Sequence, residues 1–540
     1  MPAGKAALVP TGKPVLTALT LSAALLLLLL GGCRGGARTQ FVTALDSDVV
    51  SLDPLQGTDA TSSRLHQLLF NSLLRKNEKF EYVGDLATDY QISDDGKSVT
   101  FTLHDGVTFH DGKPLTSADA KYTLDTLLVP NSKKNKAAFF IESVPGSTPQ
   151  PYITSVETPD PLTLVIRLRK PWSSLLGNLV SVPVIPQGSA DAQAKHPVGS
   201  GPFKYVSRDE SQLLVDLEAN ENYWRGAPQI KQLRVRTIKD ANTLQAELLS
   251  GRIDLASGAA NLSPDSFKFL GQIPRLQVKQ FPGANIVYLG FNCERPPLNN
   301  VRVRQAIAYA INRESLVRDL MLGQARVANS ILPESSWAYD PGQQYPYDPA
   351  RAKQLLDEAG FRDPDGDGPR MRFDKPISFK ISAGNTAVSQ YANVIQNSLK
   401  AVGVPVSIET FETSTLLQQL REGQFEMTTL RWVGGNQDPV FLRDLFHSSQ
   451  VPIGDRATVN RSRYRNPEFD RVIDQAVNTL DRTKARALYA QAQQIVSRDL
   501  PLLPLWYPDI IVVSRRGVEN IQVDPSGDFS FLRGVTVPQK

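Results

Sequence analysis

The sequence predicts an α/β protein of more than one domain, and three observations carry that reading. The chain has 540 residues, beyond the roughly 250–300 at which a single hydrophobic core stops growing. Apolar residues alternate with polar ones in short runs, the period of half-buried strands: Val99, Phe101 and Leu103; Leu164, Ile166 and Leu168; Ile377, Phe379 and Ile381. Between them lie stretches with apolar residues at helical spacing, such as Leu65, Leu68, Leu69 and Leu73, or Val472, Ile473, Ala476, Val477 and Leu480. The 41% hydrophobic and 21% charged fractions are those of an ordinary globular protein. A net charge of +4 gives no electrostatic case for nucleic-acid binding.

Taken in order, the chain opens with Lys5 and Lys13 ahead of an apolar run over 16–30, the layout of a secretory signal peptide. That run is short of the ~20 residues a spanning helix needs. It ends in Leu30-Gly31-Gly32-Cys33, which resembles the bacterial lipobox. The resemblance implies cleavage before Cys33, acylation of Cys33, a tether over 33–40, and a body held outside the cytoplasm at a membrane face. A strand over 41–50 is expected next, then the turn Ser51-Leu52-Asp53-Pro54, a polar loop through Asp59, and a helix over 62–74. The dipeptides Asp105-Gly106 and Asp111-Gly112 mark turns, and Thr116 with Asp119 forms a capping-box pattern. Gly251 suits the left-handed end of a helix.

The most informative run is 286–314, IVYLGFNCERPPLNNVRVRQAIAYAINRE. Residues 286–291 suit a buried strand, which Pro296 and Pro297 stop because proline donates no ladder hydrogen bond. Asn300 suits an N-cap, with Val303, Ile307, Ala310 and Ile311 at helical spacing. Further along, Asp348-Pro349 and Asn466-Pro467 read as N-cap and first helical residue, and a helix follows over 481–498.

The central run resembles the solute-binding proteins of bacterial peptide- and nickel-type ABC importers. Their N-x-x-x-P-P/F segment and the following V-R-x-A-I-x-x-A-I/L-D/N-R stand here as Asn292, Pro296, Pro297, Val303, Arg304, Ala306, Ile307, Ala310, Ile311, Asn312 and Arg313. Other segments fit the same family: Leu52-Asp53-Pro54, residues 104–125, Pro197-Val198-Gly199-Ser200-Gly201-Pro202-Phe203 and residues 500–506. The resemblance implies a two-lobed periplasmic-binding-protein fold of the peptide-binding type, with an extra small subdomain on lobe one. Its parts would be lobe one over 41–82, 183–288 and 505–540, the subdomain over 83–182, and lobe two over 289–504. It implies a monomer without cofactor that captures a small molecule or peptide and passes it to the transmembrane subunits of an ABC permease.

The same resemblance implies the site. In the family's peptide binders, G-W-x-x-D-x-x-D/E-P pairs its backbone with the ligand, and its first aspartate holds the peptide ammonium. Here the segment contains Arg431, Trp432, Val433, Gly435, Asn436 and Asp438, with Gly435 where that aspartate would be. The ligand contacts expected are these six, Thr58, Asp59 and Ala60 on the loop after Leu52-Asp53-Pro54, and Asn292. Trp432 would line the pocket. Asp59 could replace the missing carboxylate, or Arg431 could meet an anionic group, unless it forms a surface salt bridge. Asp363, Asp365 and Asp367 precede Gly368 as in a calcium loop, yet Asp374 stands where a bidentate glutamate is wanted. A solvated turn is the default there. The five histidines show no ligand spacing, Cys293 reads as packing, and no nucleophile or phosphate-loop motif occurs. Binding rather than catalysis follows, as transport or as sensing; an exported hydrolase would need a nucleophile that no motif supplies.

Overall fold

The computed structural model describes residues 40–142, 148–172, 174–258, 262–362, 373, 375–383, 386–434, 437–454, 458–479 and 481–537. Cys33, Asp363, Asp365, Asp367, Gly435 and Asn436 lie outside them.

Two large sheets organise the chain. A seven-stranded sheet runs in the order Phe203–Asp209, Leu214–Ala219, Gln232–Thr237, Phe41–Leu45, Leu255–Ser257, Ile510–Arg515, Leu276–Phe281. Its central strand Phe41–Leu45 is buried at every position, which is why FVTAL shows no polar alternation. A six-stranded sheet runs Ala325–Val327, Leu502–Pro508, Ile286–Phe291, Met427–Trp432, Ile377–Ser382, Val406–Phe411. Here Ile286–Phe291 is likewise buried throughout. Both faces of this sheet are covered. Val287, Leu289, Phe379 and Met427 pack with Ile307 and Ile395 on one side. Ile286, Tyr288 and Tyr507 pack with Ile473 and Tyr489 on the other.

The alternating runs near 99 and 164 lie in a third, antiparallel sheet of Ala87–Ile92, Ser98–Leu103, Thr163–Leu168 and Ile153–Asp160. Its buried residues Phe101, Leu164 and Ile166 share one apolar cluster with Leu233 and Val235 of the seven-stranded sheet. The local caps form as their chemistry requires. Asn300, Asp348, Asn466 and Asp481 each accept a backbone N–H in the first turn of the helix they precede. Asp119 accepts the Thr116 N–H at 2.8 Å.

Two expectations shift. The strand expected over 41–50 ends at Leu45. The helix expected over 62–74 is Ala60–Leu69, because Asp59 accepts the Ser62 N–H at 2.8 Å and starts it earlier. At its other end Gly199 and Gly201 press on the last turn, and a Cβ on Gly199 would stand 2.1 Å from the Leu69 carbonyl oxygen. Only glycine allows that approach.

The chain passes between the two large sheets at 282–285 and again at Asp509, side by side. A Cβ on Gly283 would lie 2.1 Å from the Pro508 carbonyl oxygen. Arg326 ties both passages together, donating to the Gly283 carbonyl at 2.8 Å and to Asp509 at 3.1 Å.

Candidate functional site

A cleft of about 2180 Å³ is lined by residues of both large sheets and their helices. One wall begins with the turn that Asp53 builds. Its carboxylate accepts the Leu55 N–H at 2.9 Å and pairs with Lys134 at 2.5 Å, and Asp53 is 4% exposed. That turn delivers Thr58 and Ala60 to the cleft, followed by Arg64 and His66 on the helix. Burial pushes His66 down to about 3, with its Nε2 3.0 Å from the Ser51 carbonyl oxygen. Lys136 lines the same wall, donates to the Ser181 carbonyl at 2.7 Å, and is lowered by burial to about 8.

The opposite wall is the strand Met427–Trp432. It pairs antiparallel with Ile286–Phe291, so Arg431 faces Val287 and Trp432 faces Ile286. Successive strand residues point to opposite faces. Arg431 and Val433 therefore line the cleft beside Tyr391 and Trp506. Trp432 goes to the other face, stacked on Tyr288 with rings 8° apart, edge-on to Phe441 and under Arg461. The pocket role expected of Trp432 does not match this placement.

The remaining expected contacts separate. Asp59 spends its carboxylate on the helix cap and does not line the cleft. Asn292 is fully buried and donates to the carbonyls of Gly423 and Phe425 at 3.1 and 2.9 Å, tying two strand ends together. Asp438 leaves its strand wall altogether. It accepts the Val440 N–H at 3.0 Å and a short hydrogen bond from the Tyr82 hydroxyl.

That Tyr82 contact belongs to a hairpin that no sequence pattern marks. Leu74–Lys76 pairs with Tyr82–Gly84, and its turn reaches the helices beside the six-stranded sheet. The Trp337 N–H donates to the Lys79 carbonyl at 3.2 Å, and Arg482 pairs with Glu81 at 3.0 Å while lying over the Trp337 ring. Burial raises the Tyr82 phenol well above its ordinary value, and the Asp438 charge adds to it. On the hairpin's first strand, Arg75 and Lys76 line the cleft, and burial lowers the Lys76 ammonium against the pull of Asp438. A cationic residue beside a polar loop was the one signal for Arg64; nothing local marks Tyr82 or Lys136.

Among the described residues no group of three histidine, cysteine or acidic side chains converges as metal ligands. His110 serves structure, with its Nε2 3.1 Å from the Gly201 carbonyl oxygen, and burial lowers it to about 4. Cys293 is a single thiol raised to about 11 by burial. No helix among the described residues is long and apolar enough to cross a membrane.

Residues 81–452 match the family of bacterial extracellular solute-binding proteins, family 5 middle. Heme-binding protein A of Haemophilus influenzae is 31% identical over 517 residues, covering 90% of this chain and 89% of the relative. The oligopeptide-binding protein AppA of Bacillus subtilis is 30% identical over 495 residues, covering 88% and 87%. The structure of AppA with a nonapeptide superposes with a TM-score of 0.70 at 26% identity, covering 93% of this chain and 99% of that one. Its fold is thus the two-lobed, peptide-binding type of periplasmic binding protein, and the chain belongs to the family 5 bacterial extracellular solute-binding proteins, binding components of ABC importers rather than enzymes.

Proposed function

We propose that this protein captures a peptide or peptide-like solute between two lobes and delivers it to the transmembrane subunits of an ABC permease. The lobes are built on the two large sheets, with a hinge at 282–285 and Asp509 and the small subdomain over 83–182 on lobe one. The protein acts as a monomer held at the membrane by lipid on Cys33. Thr58, Ala60, Arg431 and Val433 contact the solute, while Trp432, Asp59 and Asn292 hold the walls in shape. The observation that carries the reading is the cleft itself: a loop from one sheet's side and a strand from the other face a common space large enough for several residues of peptide. The relative named for oligopeptide binding supports the choice of solute.

Native mass spectrometry on the unlipidated domain, purified without refolding, tests this. Release of a peptide mixture on denaturation is expected. Release of one non-peptide compound would overturn the peptide assignment. For the anchor, Cys33→Ser should move the protein from the membrane fraction to the soluble one.

A further inference from the structure

We propose that Arg64 and Arg431, reaching into the cleft from opposite walls, form a clamp for a carboxylate of the solute, so that solute charge and lobe closure are coupled. This rests on the solute-capture reading above.

The two guanidiniums are placed for that work and little else engages them. Arg64 projects from the helix Ala60–Leu69 into the cleft. Its nearest acid, Asp46, is 3.7 Å away, too far for the bidentate pairing a guanidinium can make. Its guanidinium carbon lies 5.4 Å from the Phe529 ring centroid. Arg431 is exposed in the cleft, and among the described residues it has no carboxylate partner. Burial makes Arg64 less basic, the Asp46 charge opposes that, and the Arg431 charge lowers it further.

Three acids of the cleft are already engaged. Asp85 pairs with Arg225 at 2.7 Å, Asp509 with Arg326 at 3.1 Å, and Asp240 caps a helix. Asp524 and Asp528 stand together near the chain's end, where burial and their mutual repulsion push Asp524 upward. Asp59, the carboxylate expected to replace the missing ammonium anchor, caps a helix instead, and Asp438 accepts from Tyr82. Arg75, Lys76 and Lys136 add further positive charge to the lining. Like charges across a cleft repel. An anion between them replaces that repulsion with charge-assisted hydrogen bonds to two planar forks, a geometry that suits carboxylate.

Binding is measured by calorimetry on the unlipidated protein with random tetrapeptide mixtures, as C-terminal acids and as C-terminal amides, each with free or acetylated amino ends. The acids should bind at least about ten-fold tighter than the amides, the change expected for one lost charge-assisted contact, and acetylation should matter little. Arg431→Ala, and separately Arg64→Ala, should bring the acid-to-amide ratio near one. Equal binding of acid and amide by the wild type, or an unchanged ratio in Arg431→Ala, overturns the clamp and leaves peptide capture standing. Without any solute, Arg431→Glu should pair with Arg64 and draw the lobes together, lowering the radius of gyration in small-angle scattering. An unchanged radius overturns the clamp even where no peptide binds. A smaller radius with no peptide bound retains the clamp and sinks the peptide reading.

Discussion

Lowering the pH from 7 to 5 should weaken the fold through His66 and His110, two buried rings held neutral in the native state. In the unfolded chain a histidine takes up its proton near 6.5, whereas burial holds His66 at about 3 and His110 at about 4. Above 6.5 both states are neutral and the stability is intact. As the pH falls below 6.5 only the unfolded chain binds the proton, and stability is lost progressively towards the folded values. By pH 5 each ring costs about 2 kcal/mol by linkage, about 4 together. Asp444 works the other way. Burial raises it to about 6, so the folded chain takes its proton first and regains roughly 1.4 kcal/mol over the same interval. Urea unfolding followed by tryptophan fluorescence at pH 7, 6 and 5 reads the balance. The wild type should lose roughly 2–3 kcal/mol, and the double variant His66→Gln/His110→Gln should lose none, whatever its stability at pH 7. An equal loss in the double variant would refute the assignment of the slope to these two rings.

The hairpin contact and the strand alternation give two further expectations. Tyr82→Phe leaves the Asp438 carboxylate without its hydroxyl partner and should cost about 1.5–3 kcal/mol, whereas Arg482→Ala breaks a half-exposed pair and should cost under about 1 kcal/mol. Calorimetric Tm values check the order; a larger fall for Arg482→Ala would contradict the contact as drawn. Trp432→Ala removes a partly buried aromatic and should cost up to about 3 kcal/mol, yet change peptide Kd less than about three-fold, because the ring faces away from the cleft. A Kd loss beyond that, at intact fold by circular dichroism, would put the indole in the pocket.

What the sequence made legible was local. The strand Ile286–Phe291 and the caps Asn300, Asp348, Asn466 and Asp481 depend on residues within a few positions of each other, so pattern and chemistry agree. The cap at Asp59 is hidden in the sequence because the first turn it starts, Ala-Thr-Ser-Ser, is polar, and the apolar period begins only at Leu65. For Trp432 the segment could be recognised but its facing could not, since one residue of register decides which side of a sheet a side chain takes. The partnership of Tyr82 with Asp438 spans 356 residues of chain, and nothing in either neighbourhood announces the other. Arg64 and Lys136 gain their meaning only once the walls meet.

If the lobes close as proposed, the paired passages at 282–285 and Asp509 limit how the solute is enclosed. A body pinned at one point can swing in three independent ways. Pinned at two neighbouring points, with Gly283 against Pro508 and Arg326 bridging both, it keeps a single axis, like a door on its pins. In the proposed capture the arc of closure would then be written into the backbone, and a solute would choose only how far along that arc the door stops. Short and long solutes would leave the same outer surfaces in nearly the same relation, differing by one angle, so a partner waiting outside could dock one shape while the contents vary.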